Sequence, residues 1–215
     1  MTLGLRDGEV HLVTHSPAWA EAGEAECRRL LAALSRWTSH VEHVGSTAVP
    51  GLAAKPVIDI CLGVQDLLHA DAMAEEMSRL GYDYPGDVGI PGERVFGREP
   101  GWRTHLVHVV VVDGPRWQAY LRFRDVLRAD PLLRDEYESL KKALAASHAA
   151  DRYTYTQRKT GFIQRVLGAP RSGAPGAAAP GAATAGAATP GWGPWAPSSA
   201  ASPPTGPATG PRWPR

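Results

Sequence analysis

The densest chemistry in this chain lies in residues 41–60, "VEHVGSTAVPGLAAKPVIDI". Gly45 and Ser46 break a short apolar run, Lys55 stands in a Pro/Gly/Ala-rich connection, and Asp59 sits inside the next apolar run. A Gly-Ser turn leaving a strand can aim backbone N–H groups and a hydroxyl at an anion, because glycine lets the backbone come close. Lysine adds a point charge suited to phosphate. A carboxylate inside an apolar strand is costly unless it has a partner, and a metal ion is one such partner. Neighbouring backbone or an arginine is another. Anion cradle, cation and acid so close together point toward nucleotide chemistry, although each feature taken singly also has an ordinary structural explanation.

Those residues need a scaffold. Residues 9–14 alternate weakly and suggest a short edge segment. Ser16-Pro17 reads as a helix start, with the serine as cap and the proline in the first turn. Beyond it Trp19, Gly23, Cys27, Leu30, Leu31 and Leu34 fall on one helical face. Strands are expected at 40–44 and 57–64, followed by a helix capped by Asp66, with Ala70, Met73, Met77 and Leu80 inward and Gly81 at its end. The stretch 82–93 reads as a loop, 94–98 and 104–112 as strands, and 115–129, 132–148 and 152–167 as helices. The fold class is therefore α+β: a mixed sheet with flanking helices and a helical C-terminal portion.

From about Pro170 the composition changes to Ala, Pro, Gly, Ser and Thr, and no periodic apolar face survives. Burial there cannot offset the entropy of ordering, so 170–215 is expected to be a disordered tail and 1–169 the domain. Trp192, Trp195 and Trp213 lie in that tail and offer a partner motif or a compositional accident. The net charge of +1 conceals an asymmetry: residues 1–114 hold 9 Lys/Arg and 16 Asp/Glu, whereas 115–169 hold 11 and 6. That pattern is consistent with a cleft that meets phosphate, and solvated helix faces give the same count. It makes no case for nucleic acid. Cys27 and Cys61 show no metal or disulfide spacing. No apolar run reaches membrane-spanning length, and a cytoplasmic location is expected. Walker-type loops, dinucleotide fingerprints and Gly-x-Ser-x-Gly elbows do not occur, which argues against P-loop kinases, Rossmann oxidoreductases and α/β-hydrolases.

"EHVGSTAVPGLAAKPVIDI" resembles the signature of the GrpB family, whose proteins share the nucleotidyltransferase fold of polymerase-beta-like enzymes. Three further stretches resemble that family in the expected order: "RTHLVHVVV" at 103–111, "LRFRDVLRADPLLRDEYESLKKAL" at 121–144 and "YTQRKTGFI" at 155–163. The likeness runs from about residue 10 to 168. It implies a nucleotidyltransferase-like fold and a metal-dependent transfer of a nucleoside monophosphate from ATP or another nucleoside triphosphate to an unidentified small-molecule or protein acceptor. Gly45, Ser46 and Thr47 would then hold phosphates with help from Lys55, and Asp59 would bind Mg²⁺.

One departure bears on mechanism. The wider fold uses two acids one residue apart on a strand plus a third on a later strand, together holding two magnesium ions. Asp59 matches the first, but the second position is Cys61, a poor ligand for magnesium, and the late strand offers His105 and His108 on opposite faces. Three readings stay open. The metal site is reduced to Asp59, substrate phosphates and Glu42 or His108; or Asp59 and His108 bind a softer ion such as Zn²⁺ or Mn²⁺; or the pocket binds without catalysing. Arg103, beside the Pro100-Gly101 turn, is a candidate phosphate clamp. Tyr155 and Lys159, four residues apart on the last helix, are candidates for the acceptor side. His43 is expected either to orient the Gly-Ser loop or to cap its strand. Arg98 reads equally as a clamp or an exposed arginine, and Arg124 with Asp125 as an interhelix ion pair.

Overall fold

The computed structural model describes residues 3–84 and 90–168. Its centre is a five-stranded mixed sheet of β2 (His40–Val44), β3 (Ile58–Val64), β4 (Tyr82–Asp83), β5 (Glu93–Arg98) and β7 (His105–Val111), in the order β2-β3-β7-β5-β4. β3 and β7 run parallel; the other neighbouring pairs are antiparallel. A parallel central pair is covered on both faces, which is why "VIDICLGV" reads as a nearly continuous apolar run.

One sheet face carries Ile58, Ile60, Leu62, Val64, Val107 and Val109 and packs against Trp19, Leu30 and Leu34 of α1 (Ala18–Leu34). Ala70 of α2 (Leu68–Ala72), Met77 of α3 (Ala74–Arg79) and Met73 between them complete that core. The other face is partly covered by α4 (Pro115–Ala129), whose Trp117 and Tyr120 meet Val44, Cys61 and Val110. α5 (Pro131–Ser147) and α6 (Arg152–Gly168) join α4 in a second core, where Tyr137, Phe162 and Val166 close over Val49 and Leu52. Local signals place the later helices well. Pro115 and Pro131 open α4 and α5, Asp130 Oδ1 accepts from Leu133 N–H at 3.0 Å, and Asp151 Oδ1 accepts from Thr154 N–H at 2.9 Å.

Several expectations needed correction. The 9–14 segment contributes a bridge between Val13 and Ala54, while the edge strand lies earlier: β1 (Leu5–Arg6) pairs with β6 (Trp102–Arg103). Ser16 supports α1 through its carbonyl, which accepts from Trp19 N–H, rather than through its hydroxyl. The buried stripe of α1 includes Glu26, and Leu31 is exposed, because Glu26 finds Arg29 at 2.5 Å and the Tyr82 hydroxyl at 2.7 Å. The Asp66-capped helix breaks at Met73 into two short ones. Within the expected 82–93 loop, Tyr82–Asp83 pairs with Gly97 and Arg98 as a sheet edge. The expected disordered tail, with Trp192, Trp195 and Trp213, lies outside the described residues. No helix among the described residues is long and apolar enough to cross a membrane.

Candidate functional site

β2 ends at Val44, which pairs with Asp59, so the bend after β2 is delivered next to an acid fourteen residues later in the chain. Gly45 adopts φ 72°, ψ −170°, a conformation essentially confined to glycine. A Cβ placed there would lie 2.9 Å from Asp59 Cβ and closer still to its carboxylate. Ser46–Ala48 then forms a single 3-10 turn. The acid therefore leans directly on the Gly-Ser bend. No arginine among the described residues pairs with it, and it does not turn into the core.

Around this contact opens a cleft of about 550 Å³ between the sheet, α5 and α6. Gly45, Ser46, Thr47, Lys55, Asp59, Arg103, His108, Tyr155 and Lys159 all line it. Its near rim is residues 6–9, held across the opening by two sets of bonds. Gly101 N–H donates to Asp7 Oδ2 at 3.2 Å, and Val10 N–H donates to the Ala149 carbonyl at 2.8 Å.

Three lysines converge on the cleft. Lys55 and Lys159 approach the ring of the buried Tyr155, their ammonium nitrogens 5.8 and 4.4 Å from its centre. Lys141, buried on α5, donates to Ser46 Oγ at 3.1 Å and to the Ala53 carbonyl. Burial, reinforced by Arg152 and Lys159, pulls Lys55 down to about 7; burial and Arg152 pull Lys159 down to about 8. Lys141 falls well below the usual lysine range through burial and the charge of Lys159. Burial raises the Asp59 carboxyl, but the bond from His108 and the charges of His108, Lys55 and Lys159 outweigh it and hold it low.

His108 spans two carboxylates. Its Nε2 lies 3.5 Å from Asp59 Oδ1, and its Nδ1 2.6 Å from Oε1 of the buried Glu93. Burial opposes its charge, yet these bonds raise it to about 9, so near neutral pH it is an imidazolium donating in both directions. Tyr120 donates to Glu93 Oε1 at 3.0 Å, and Arg116 reaches Oε2 at 3.4 Å. Cys61 shares this sheet face, being opposite His108 on β7, but it is fully covered in the cluster of Trp117, Tyr120 and Val110, and burial pushes its thiol up. Position 61 is thus closed to an ion by location as well as by residue type.

The remaining candidates sort by face. His43 lies opposite Asp59's side of the sheet, in van der Waals range of Gly23, where a Cβ would come within 2.6 Å of its ring. Its Nε2 meets the buried Thr47 Oγ1 at 3.0 Å, and burial lowers it to about 4, so a neutral ring fixes the loop. Glu42 is held by Arg124 Nη1 at 2.8 Å and does not line the cleft. Arg124 also donates to neighbouring Asp125 at 2.8 Å, so the expected interhelix pair is a bridge from α4 to β2. Arg98 binds Glu26, away from the cleft. Arg103 lies in the cleft wall over Gly97, its guanidinium held by Asp83 and, at 3.7 Å, by Asp7.

Glu93, Lys141, Tyr120 and Arg152 were missed. Lys141 carried a readable signal: it falls four residues after Tyr137 on the apolar face of α5, where a lysine is out of place. Glu93 carried none, because its role depends on the long-range pairing of β5 with β7.

Comparison with known proteins supplies the context. Residues 9–169 match the GrpB protein family. The chain is 38% identical over 170 residues to the glutamate-rich protein GrpB of Alkalihalophilus pseudofirmus, spanning 77% of this chain and 98% of the relative. The crystal structure of conserved protein GrpB from Enterococcus faecalis aligns with a TM-score of 0.67 at 37% identity, covering 73% of this chain and 94% of that one. The Cid1 poly(U) polymerase bound to MgATP aligns with a TM-score of 0.51 at 15% identity, over 72% of this chain and 51% of that one. At that identity the shared property is the nucleotidyltransferase-like fold.

Proposed function

The chain belongs to the GrpB family, and from that premise we propose that it is a cytoplasmic, metal-dependent nucleotidyltransferase that moves a nucleoside monophosphate from ATP or another nucleoside triphosphate to a small-molecule or protein acceptor. The observation that carries this reading is the packing of Asp59 against the Gly45 bend inside a lysine-lined cleft. In this reading the acceptor hydroxyl attacks the α-phosphorus and gives up its proton to water, the bond from that phosphorus to the bridging oxygen breaks, and pyrophosphate leaves. Gly45, Ser46 and Thr47 hold the phosphate chain, Lys55 adds charge, and Tyr155 and Lys159 shape the acceptor side.

The metal must suit the residues present. Among the described residues no group of three or more His, Cys, Asp or Glu side chains is placed to hold an ion. Magnesium commonly takes one or two carboxylates and completes its shell with substrate phosphates and water. Asp59 fits that pattern for an ion carried in on the triphosphate, which would supply charge neutralisation at the phosphates. The zinc or manganese alternative asks His108 to exchange the proton facing Asp59 for the ion while Nδ1 keeps donating to Glu93. Magnesium, which asks nothing of His108, is the ion this reading takes.

A second reading, a nucleotide-binding module without catalysis, draws support from the covered Cys61 and from the bonds that occupy Glu93. Labelling separates the two. With α-labelled ATP, magnesium and cell extract, the enzyme labels an acceptor and Asp59→Ala abolishes the label. ATP affinity without any transfer, in parent and variant alike, refutes the enzymatic reading.

A further inference from the structure

The cleft holds more cationic charge than its acids neutralise. Arg103 is taken up by Asp83 and Asp7, and Glu93 by His108, Tyr120 and Arg116. Asp7, Glu9 and Asp151 lie exposed at the rim. Against Asp59 there remain Lys55, Lys141, Lys159 and Arg152. Among the described residues none of these three lysines has a carboxylate in bonding range: Lys141 is spent on a hydroxyl and a carbonyl, and Lys55 and Lys159 face an aromatic ring. Glu138, the nearest acid to Lys141 on α5, is held by Lys142 and by the Ala53 N–H. The rings and acceptors around them support single ammonium groups, but clustered ones still destabilise one another, and a polyanion in the cleft would relieve that repulsion.

The covered Cys61 adds a second argument. Charge that a paired-acid, two-ion centre would bring to a triphosphate has no place to enter here, since position 61 lies under Trp117 and Tyr120. The three lysines line the cleft on which the bend opens, one of them bonded to Ser46 itself. Lysine ammonium groups bind phosphate as point charges and need no fixed coordination geometry.

We infer that Lys55, Lys141 and Lys159 form a polyphosphate-binding site that holds a linear triphosphate without a metal ion. The ligand class is a chain of three phosphates, whether free or as the tail of a nucleotide. The inference deepens the proposed function by assigning capture to the lysines, which moves Lys159 from the acceptor side to the phosphates and leaves Asp59 to the chemical step, and it rests on that reading for the nucleotide form of the ligand.

The test is calorimetric titration of the full chain with inorganic tripolyphosphate and, separately, with ATP, each in EDTA and in magnesium. Tripolyphosphate is expected to bind in EDTA with an affinity within about threefold of that in magnesium. Lys55→Met and Lys159→Met, which leave the buried Lys141 in place, should each weaken it at least about tenfold, the loss of a charge-assisted contact. Asp59→Asn, which removes the one acid facing the bend, should bind tripolyphosphate in EDTA at least as tightly as the parent. Binding that appears only with magnesium overturns the inference. So does unchanged affinity in Lys55→Met and Lys159→Met proteins whose melting temperatures match the parent. Metal-free binding of tripolyphosphate without binding of ATP supports the site and sinks nucleotide transfer. Metal-free binding of both ligands with no transfer to any acceptor supports the site and sinks the enzymatic reading.

Discussion

Replacing Gly45 with alanine asks whether the bend and the acid are one physical unit. Two costs follow from the geometry. At φ 72° and ψ −170° a side chain incurs a backbone penalty of about 1–3 kcal/mol. The added methyl also falls 2.9 Å from Asp59 Cβ and nearer to its carboxylate, and overpacking of this kind costs about 1–3 kcal/mol. Gly45→Ala should therefore lose roughly 2–6 kcal/mol, a large part of the roughly 5–15 kcal/mol that holds a domain folded. Urea unfolding followed by tryptophan fluorescence measures the total, and a double-mutant cycle separates its parts. In an Asp59→Gly background the three atoms nearest the methyl are gone, so Gly45→Ala should cost chiefly the backbone share. The coupling energy should then be about 1–3 kcal/mol. Additivity within about 0.5 kcal/mol would show that the acid does not rest on the bend, and the reading of this cleft would fall with it.

Two further outcomes concern pH. His108 is raised in the folded chain to about 9 from an ordinary 6.5, so its contribution to stability is complete below about pH 6.5 and is lost as pH climbs through 9. Melting curves should show a loss between pH 7 and 9 that His108→Gln lacks, and parallel curves for both proteins would contradict the bridging imidazolium. Lys55 and Lys159, lowered to about 7 and 8, are respectively mostly and half neutral at pH 8, so capture of tripolyphosphate by the parent should draw in about 1–1.5 more protons there than capture by the double Lys55→Met, Lys159→Met protein, and close to no more at pH 6. Calorimetry in two buffers of different ionisation enthalpy measures this uptake, and equal uptake by the two proteins at pH 8 would refute it.

What could be read from the chain was what lies close together along it. β2, the bend and β3 are adjacent in sequence, and the face shared by Asp59 and position 61 follows from strand alternation. The helices 115–129, 132–148 and 152–167 differ from the observed spans by a residue or so, because prolines and aspartates mark their starts. Arg103, His108, Tyr155 and Lys159 were gathered by family likeness, and all of them line the cleft. The partners that set their charge states were out of reach. Glu93 meets His108 only because β5 lies antiparallel on β7, and Arg103 meets Asp83 only because a two-residue strand closes the sheet edge. Glu26 was hidden for a similar reason: Arg29 lies one turn on, but an acid in an apolar stripe gives no sign that a tyrosine and a second arginine from distant strands will help to satisfy it.

The rim formed by residues 6–9 has a practical side. Leu3 and Gly4 lie against the Trp102 indole, whose Nε1 donates to the Leu3 carbonyl at 3.2 Å, so the chain enters the fold directly beside the opening. An affinity handle fused ahead of these residues would hang at the doorway, and a histidine-rich one would bring its own metal-binding groups to a pocket being assayed for metals. Recombinant protein intended for ligand work is better purified through its other end.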